Sequence, residues 1–314
     1  MKILFTSVGR RVELIQAFRN AAINLNIDLK IYGSDVADTA PALVFCDEKI
    51  LSPKIDEKNY ISFLVNLCEK EKINALVPTI DTDLLLLSQN KEKFLNTKIV
   101  VSEEDKIKIC RDKTLVADFF SKIGLNTPTP CDDCLQYRGG FPAFIKPKDG
   151  SSSINAYKIY NNKELKIYSQ EVPDYIVAPF IEGKEYTVDA FCDFEGNPIY
   201  ITPRIRLAVR SGEVLKTQMV QDEVIIDECE KIINAFKPCG AITIQLIRQS
   251  ITGDDYFIEI NPRFGGGAPL SMKAGADSAE ALLRLLRGEK LYFTAKAAEE
   301  GAVYSRYDQS VRVK

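Results

Sequence analysis

The chain of 314 residues contains no histidine. That absence removes Ser-His-Asp and Cys-His catalysis, histidine zinc sites and histidine proton shuttles. Any chemistry must rest on carboxylates, lysines, arginines, backbone amides or a hard metal. Strong charge of one sign is also lacking. A net charge of −3 gives no reason to expect nucleic acid or an acidic membrane as a partner. No segment approaches the roughly 20 apolar residues of a membrane span. The opening MKILFTSVGRR has too short an apolar run for a secretion signal, and its arginines follow that run. The eight cysteines are scattered through a chain far larger than a disulfide-stapled miniprotein. Cys131 and Cys134 form the one close pair, without the two further ligands a zinc site needs. A Gly-x-Gly-x-x-Gly turn after the first strand is missing, which argues against a nicotinamide-binding domain, and the Gly-x-x-x-x-Gly-Lys-Ser/Thr P-loop is missing as well. These exclusions leave a reduced, cytoplasmic protein of enzyme size, long enough for about two or three domains.

What is present begins with repeated strand-helix units. Strands are expected at Ile3 to Val8, Leu29 to Gly33, Glu48 to Leu51, Ile73 to Val77 and Lys98 to Val101. Helices are expected at Val12 to Ala22, Tyr60 to Lys70 and Thr82 to Phe94. Such alternation implies a parallel sheet covered by helices, with ligands gathered at the carboxyl ends of the strands. Those ends read Ser7-Val-Gly-Arg-Arg11, Ser34-Asp35 and Pro78-Thr-Ile-Asp-Thr-Asp83. They suit part of a second substrate, or are simply polar loop ends. A helical stretch from Glu103 to Ile123 and a proline-rich linker follow, with a domain boundary near Cys110.

The candidate site residues come later. The stretch Phe257 to Gly267 reads FIEINPRFGGG. It is a strand that Pro262 must end, followed by an arginine and three glycines. Alternation sets Glu259 and Asn261 on one face, with Ile258 and Ile260 on the other. A carboxylate and an amide oxygen suit a hard cation, and Arg263 suits phosphate oxygens. Upstream, Gly240 to Arg248 reads as a strand. A hairpin centred on Thr252 would place Gln245 opposite Glu259, though a slip of one residue would turn it away. Phe141 to Ile154 delivers Lys146 at a strand end into a small, polar loop containing Ser151, Ser152 and Ser153. This is either a clamp on nucleotide phosphates or a plain β-hairpin with a serine turn. Tyr175 to Asp189 holds two strands broken at Glu182 to Lys184. The first suits a flat adenine ring and the second carries Glu185, an acceptor for ribose hydroxyls. Between Pro198 and Lys216, Arg204, Arg206 and Arg210 share parity. Like charges on one face repel unless anions lie between them, so this is an anion site or a solvated edge strand.

Taken together and in order, Lys113, the Phe-Ile-Lys146-Pro strand with its loop, Phe-Ile-Glu-Gly-Lys-Glu185, Gln245 and Ile-Glu259-Ile-Asn261-Pro-Arg263 resemble the ATP-grasp enzymes. The chain looks most like single-chain proteins related to the carbamoyl-phosphate synthase large subunit. The resemblance implies an α/β plus α+β fold. A Rossmann-like pre-ATP-grasp domain (1–110) precedes an ATP-grasp fold of two subdomains (111–182 and 183–314). It implies ATP with Mg²⁺, or Mn²⁺ as an alternative. Lys113 and Lys146 would contact phosphates together with the serine loop, and Ala178, Phe180 and Ile181 would form a backbone hinge for adenine. Glu185 would bind ribose, and Gln245, Glu259 and Asn261 would face the metal. Arg263, with Arg204 and Arg206, would act on the transferring phosphoryl group, while the place of Arg210 stays open. One departure is Ala178-Pro179 where the family often has Gln-Glu. The implied reaction joins a small-molecule carboxylate to an amine through an acylphosphate, releasing ADP and phosphate. Alternatives are bicarbonate phosphorylation or an ATP-binding regulatory module without turnover. No nucleic acid or membrane is implied, and a homodimer stays open.

Overall fold

The structure is a computed structural model that describes residues 1–149, 154–210 and 212–314. The first hundred residues form β1 (Lys2–Thr6), α1 (Val12–Asn24), β2 (Lys30–Asp35), β3 (Glu48–Leu51), α2 (Tyr60–Glu71), β4 (Ala75–Pro78), α3 (Leu84–Ser88) and β5 (Lys98–Ile99). The strands make one parallel sheet in the order β3-β2-β1-β4-β5. Ile3, Leu4 and Phe5 are fully buried, which explains why β1 is a continuous apolar run rather than an alternating one. The strand order reverses direction between β1 and β4, and a crevice opens there at the carboxyl ends. One expectation fails. Thr82 to Phe94 is not a single helix, because α3 stops at Ser88 and a separate 3₁₀ turn occupies Lys91–Lys93.

The chain continues as α4 (Glu104–Arg111), α5 (Lys113–Lys122), β6 (Ala143–Pro147), β7 (Tyr157–Ile159), α6 (Asn162–Glu171) and β8 (Tyr175–Pro179). The Asp112 carboxylate accepts from the amides of Thr114 and Leu115, and so starts α5 at Lys113. Strands β7-β6-β8 form a small antiparallel sheet. The remainder gives β9 (Gly183–Cys192), β10 (Pro198–Arg210), β11 (Glu213–Met219), α7 (Glu223–Phe236), β12 (Ala241–Gln249), β13 (Asp255–Asn261), α8 (Ala268–Lys273), α9 (Ser278–Leu286) and β14 (Val303–Ser305). These strands form a second antiparallel sheet in the order β13-β12-β9-β10-β11-β14.

Alternation along this larger sheet divides its faces. Tyr186, Val188 and Ala190 on β9, with Ile242, Ile244 and Leu246 on β12, point into a core closed by the apolar stripe of α7 and by Val116 and Phe120 of α5. Helix α5, within the stretch expected to form the first ATP-grasp subdomain, thus packs on the larger sheet, while β6 to β8 stand apart over it. The opposite face carries Glu185, Arg206, Gln245 and Glu259. At its far end, α8 and α9 pack against α1, and Phe264 meets Phe18 at 5.8 Å between ring centroids. The parallel sheet and the larger antiparallel sheet therefore share one apolar cluster.

Candidate functional site

The small sheet lies over the polar face of the larger one, and a cavity of about 510 Å³ separates them. Its upper wall is formed by Phe144 and Lys146 of β6, Lys158 of β7 and the Ala178-to-Ile181 stretch. Its lower wall is formed by Glu185, Arg206, Gln245, Ile247, Ile258 and Glu259, with Lys113 at the edge.

The lower wall depends on register. Gln245 stands directly opposite Glu259, as a hairpin about Thr252 requires. Nearer the turn, however, Leu246 pairs with Phe257, so one residue of β13 is extra at this point. This β-bulge has a consequence that alternation missed. Ile258 is not on the far face but lines the cavity beside Glu259, and both are partly exposed while Phe257 and Ile260 are buried. The Glu259 Oε1 atom accepts from Gln245 Nε2 at 2.7 Å and from Asn261 Nδ2 at 2.9 Å. Three oxygen-bearing side chains thus meet at one point. Among the described residues no group of three or more His, Cys, Asp or Glu side chains stands ready for a metal. The set supplies one negative charge and two amides. That suits Mg²⁺ arriving with phosphates, which needs only one or two carboxylates from the protein. For the amides to offer oxygen, each must turn over. The bonds from Arg206 to Gln245 Oε1 (3.1 Å) and from Arg263 to Asn261 Oδ1 (3.3 Å) would then give way.

Facing this group from above, Lys146 is half-buried, and desolvation lowers its pKa to about 8 against the attraction of Glu259; the nearby Lys113 lowers it further. Burial likewise lowers the pKa of Lys113, whose Nζ is 3.3 Å from the Lys148 carbonyl. Glu259 attracts both ammonium groups and Asp149 and Asp112 also attract Lys113, yet desolvation still lowers both pKa values, so phosphate oxygens between the two lysines would favour their charged forms. Ser151, Ser152 and Ser153 lie outside the described residues.

Phe144 and Phe180 stand 6.2 Å apart between ring centroids on the upper wall and offer apolar faces. The Phe180 amide donates to the Pro142 carbonyl at 3.0 Å, and Pro179 has no N–H. Among the described residues the Ile181 amide has no backbone partner outside the strand ladders, which leaves this donor for a ring edge. Lys158 was missed from sequence, although it pairs with Phe144 across the hairpin and so shares the face of Lys146. Its Nζ sits 3.9 Å from the centre of the Phe180 ring. Glu185 is half-exposed, and its carboxylate is 3.4 Å from Arg206.

The arginines part company. Arg206 faces the cavity, spans Gln245 and the Gly212 carbonyl, and keeps a buried Nε with no partner among the described residues. Arg204 shares its parity but not its place. It is 2% exposed, and its Nε holds the Asp189 carboxylate at 2.7 Å, which also accepts from Ser271. Its guanidinium packs beneath Gly267, where an added Cβ would lie 2.5 Å from Arg204 Nη2. This is a buried ion pair inside the fold and not a wall of the cavity, so the expected role on the phosphoryl group is corrected. Bulges after Arg206 break the alternation of β10, and Arg210 departs to an exposed pair with Asp308. Arg263 turns to Asp81 on the loop after β4, at 2.6 Å.

A family model described as an ATP-grasp domain matches residues 110–267, the stretch from α4 through the glycines. The chain belongs to the ATP-grasp family. The preceding residues 3–102 match a PylC-like N-terminal domain. A curated relative, the arginine-specific large chain of carbamoyl phosphate synthase from Arabidopsis thaliana chloroplasts, is 23% identical over 270 residues. That match takes in 74% of this ATP-grasp chain and only 22% of the relative's length. Among solved structures, the biotin carboxylase domain of Hydrogenobacter thermophilus 2-oxoglutarate carboxylase, complexed with MgADP, ADP and bicarbonate, superposes with a TM-score of 0.76 at 19% identity. It covers 96% of this chain and 73% of that one. An L-amino acid ligase from Bacillus licheniformis superposes at 0.72 with 16% identity, over 91% and 74% of the two chains. At these identities the superpositions establish the fold: a parallel-sheet N-terminal domain followed by the antiparallel sheets of an ATP-grasp unit. Among the described residues no helix is long and apolar enough to cross a membrane.

Proposed function

We propose that the protein binds ATP with Mg²⁺ between its two antiparallel sheets and uses it to activate a carboxylate for joining to an amine. The observation that carries this reading is the convergence of Lys146 and Lys113 on the Glu259, Gln245 and Asn261 group across a cavity. Phe144 and Phe180 take the purine between apolar surfaces, and the Ile181 amide and nearby carbonyls meet its edge. Glu185 accepts from ribose hydroxyls. Lys146, Lys113 and Lys158 gather the phosphates. Glu259, Gln245 and Asn261 would hold Mg²⁺, which supplies charge neutralisation to the triphosphate when bound.

In this reading a substrate carboxylate oxygen attacks the γ-phosphorus and ADP leaves, giving an acylphosphate. An amine then attacks the acyl carbon, phosphate departs, and the amine gives up a proton. Arg206 and Arg263 balance charge that moves between these groups. No histidine base is required, because the amine can arrive deprotonated. The domain limits 1–110, 111–182 and 183–314 belong to the same proposal. The eight cysteines are unpaired, which supports a reduced, cytoplasmic setting.

A panel of carboxylate and amine pairs, scanned for ADP and phosphate release, tests the reading. Release that needs both partners supports the ligase. Release with bicarbonate alone favours bicarbonate phosphorylation, a second reading supported by the likeness to the carbamoyl phosphate synthase chain. Nucleotide binding without any release would favour a regulatory module.

A further inference from the structure

A second cavity, of about 410 Å³, opens at the strand-order reversal of the parallel sheet. It is bounded by the Ser7-to-Arg11 loop after β1, by Gly265 and Gly266, by Glu213 at the start of β11, and by Arg306 to Asp308 after β14. The same chain segment that carries Glu259 and Arg263 therefore runs directly into its floor.

Glu213 sits in an unusual position. Its carboxylate lies flat over Gly266, where an added Cβ would stand 2.1 Å from Glu213 Oε2. Its Oε2 is 3.1 Å from Arg306 Nη1, and its Oε1 is 4.0 Å from Arg11 Nη1. Arg306 also pairs with Glu13 on the same wall at 3.4 Å, and its Nη1, the Arg11 guanidinium and the bare glycine backbone make a place for an anion that the Glu213 side chain fills. That side chain is 54% exposed, so it can swing away at little cost. Arg11, by contrast, is largely buried, with its other contact to the Thr79 carbonyl at 3.3 Å. Burial and the nearby Arg263 oppose its charge, while Glu213 and Asp81 favour it. An anion taking the place of the Glu213 carboxylate would keep the Arg11 charge compensated.

The loop carrying Arg11 is held in place beforehand. Ser7 and Gly9 adopt left-handed φ values of +54° and +44°. The Asp35 carboxylate accepts from the Gly9 amide at 2.8 Å, and buried Asp83 accepts from Thr6 and Ser7. The cavity is also far larger than bicarbonate and falls in the size range of metabolite sites. Val8, Leu14, Val214 and Pro269 give it apolar wall as well as charge.

We propose that this second cavity binds an organic carboxylate larger than bicarbonate, clasped by Arg11 and Arg306 in the place now held by the Glu213 carboxylate, so that Glu213 is a built-in competitor for the substrate. The proposal rests on the ligase reading above and assigns the carboxylate substrate a site. The C-terminal segment through Arg306 is then part of the substrate wall.

The test uses the full chain and malonate as an anionic probe, titrated calorimetrically with and without saturating MgADP. Glu213→Ala should bind malonate about fivefold more tightly than the parent, the scale of a released exposed ion pair. Glu213→Gln should shift the affinity in the same direction. Arg11→Ala and Arg306→Ala should each bind it roughly tenfold more weakly, as loss of a charged hydrogen bond implies. MgADP affinity should stay level in all four variants, which also reports that they are folded. Equal or weaker malonate binding by Glu213→Ala, or unchanged binding by Arg11→Ala, overturns the site. A parent chain that fails to bind MgADP overturns the nucleotide reading instead. The order of malonate affinities without nucleotide still judges the second cavity on its own.

Discussion

The Nη2 atom of Arg263 lies 2.6 Å from Oδ2 of Asp81, 182 residues earlier in the chain. One end of this pair belongs to the loop after β4 of the parallel sheet. The other follows directly on Glu259 and Asn261, the proposed metal ligands. The pair fixes where the guanidinium can reach and joins the two halves of the molecule at the proposed site of reaction. Asp81→Asn keeps the shape and removes the charge that holds Arg263. We expect kcat for ADP release to fall by roughly tenfold, on the scale of a charge-assisted hydrogen bond, while the MgADP dissociation constant stays level. Steady-state kinetics beside calorimetry check this split. Equal losses in both would mean that Asp81 acts on folding and not on Arg263.

The pKa of Lys146, lowered to about 8, predicts a pH dependence. A bound triphosphate favours the charged lysine, so nucleotide affinity should fall as pH rises through about 8. Lys146→Arg stays charged throughout and should flatten the profile. Stability moves the other way. The unfolded lysine titrates near ~10.4, so between about 8 and that value the unfolded chain binds more protons. The parent should therefore gain stability with rising pH over this window, through this group. Calorimetric titrations and denaturant melts across the range read both trends.

The Arg204–Asp189 pair is a structural element in this account. Arg204→Ala strands a buried carboxylate, and we expect a loss of about 3–5 kcal/mol in unfolding free energy. Nucleotide affinity measured below the transition should be unchanged. Urea unfolding and a nucleotide titration on the same sample separate the two effects.

The proposed cation site of Glu259, Gln245 and Asn261 holds one carboxylate, which is little to strip water from a divalent ion. Mn²⁺ alone should bind no tighter than about millimolar, and much more tightly once ADP is present. Electron paramagnetic resonance of Mn²⁺ with and without nucleotide reads the free ion directly. Tight binding without ADP would mean that the protein supplies more ligands than these three residues.

Much of this was legible from residue order. The parallel sheet followed from apolar runs spaced by amphipathic helices, and the Gln245–Glu259 pairing followed from the symmetry of the hairpin about Thr252. What escaped has specific causes. A bulge cannot be seen in alternation, so Ile258 was placed on the wrong face of β13. Parity correctly set Arg204 on the same face as Arg206. It could not show that Asp189, two registers away on the neighbouring strand, would draw the side chain under Gly267. Lys158 needed the β6–β7 register, which places it opposite Phe144. Asp81, Glu213 and Arg306 depend on contacts between segments far apart in sequence, and nothing local to them announces a partner.

The central claim is that MgATP is held and used at the cavity between the two antiparallel sheets, with Glu259 as the essential carboxylate. The most direct test is phosphate release from MgATP by Glu259→Gln beside the parent, with a substrate mixture that supports turnover. Gln keeps the size and loses the charge. The account predicts release reduced to background, with an unfolding midpoint equal to the parent's. Equal release by the two proteins would contradict it.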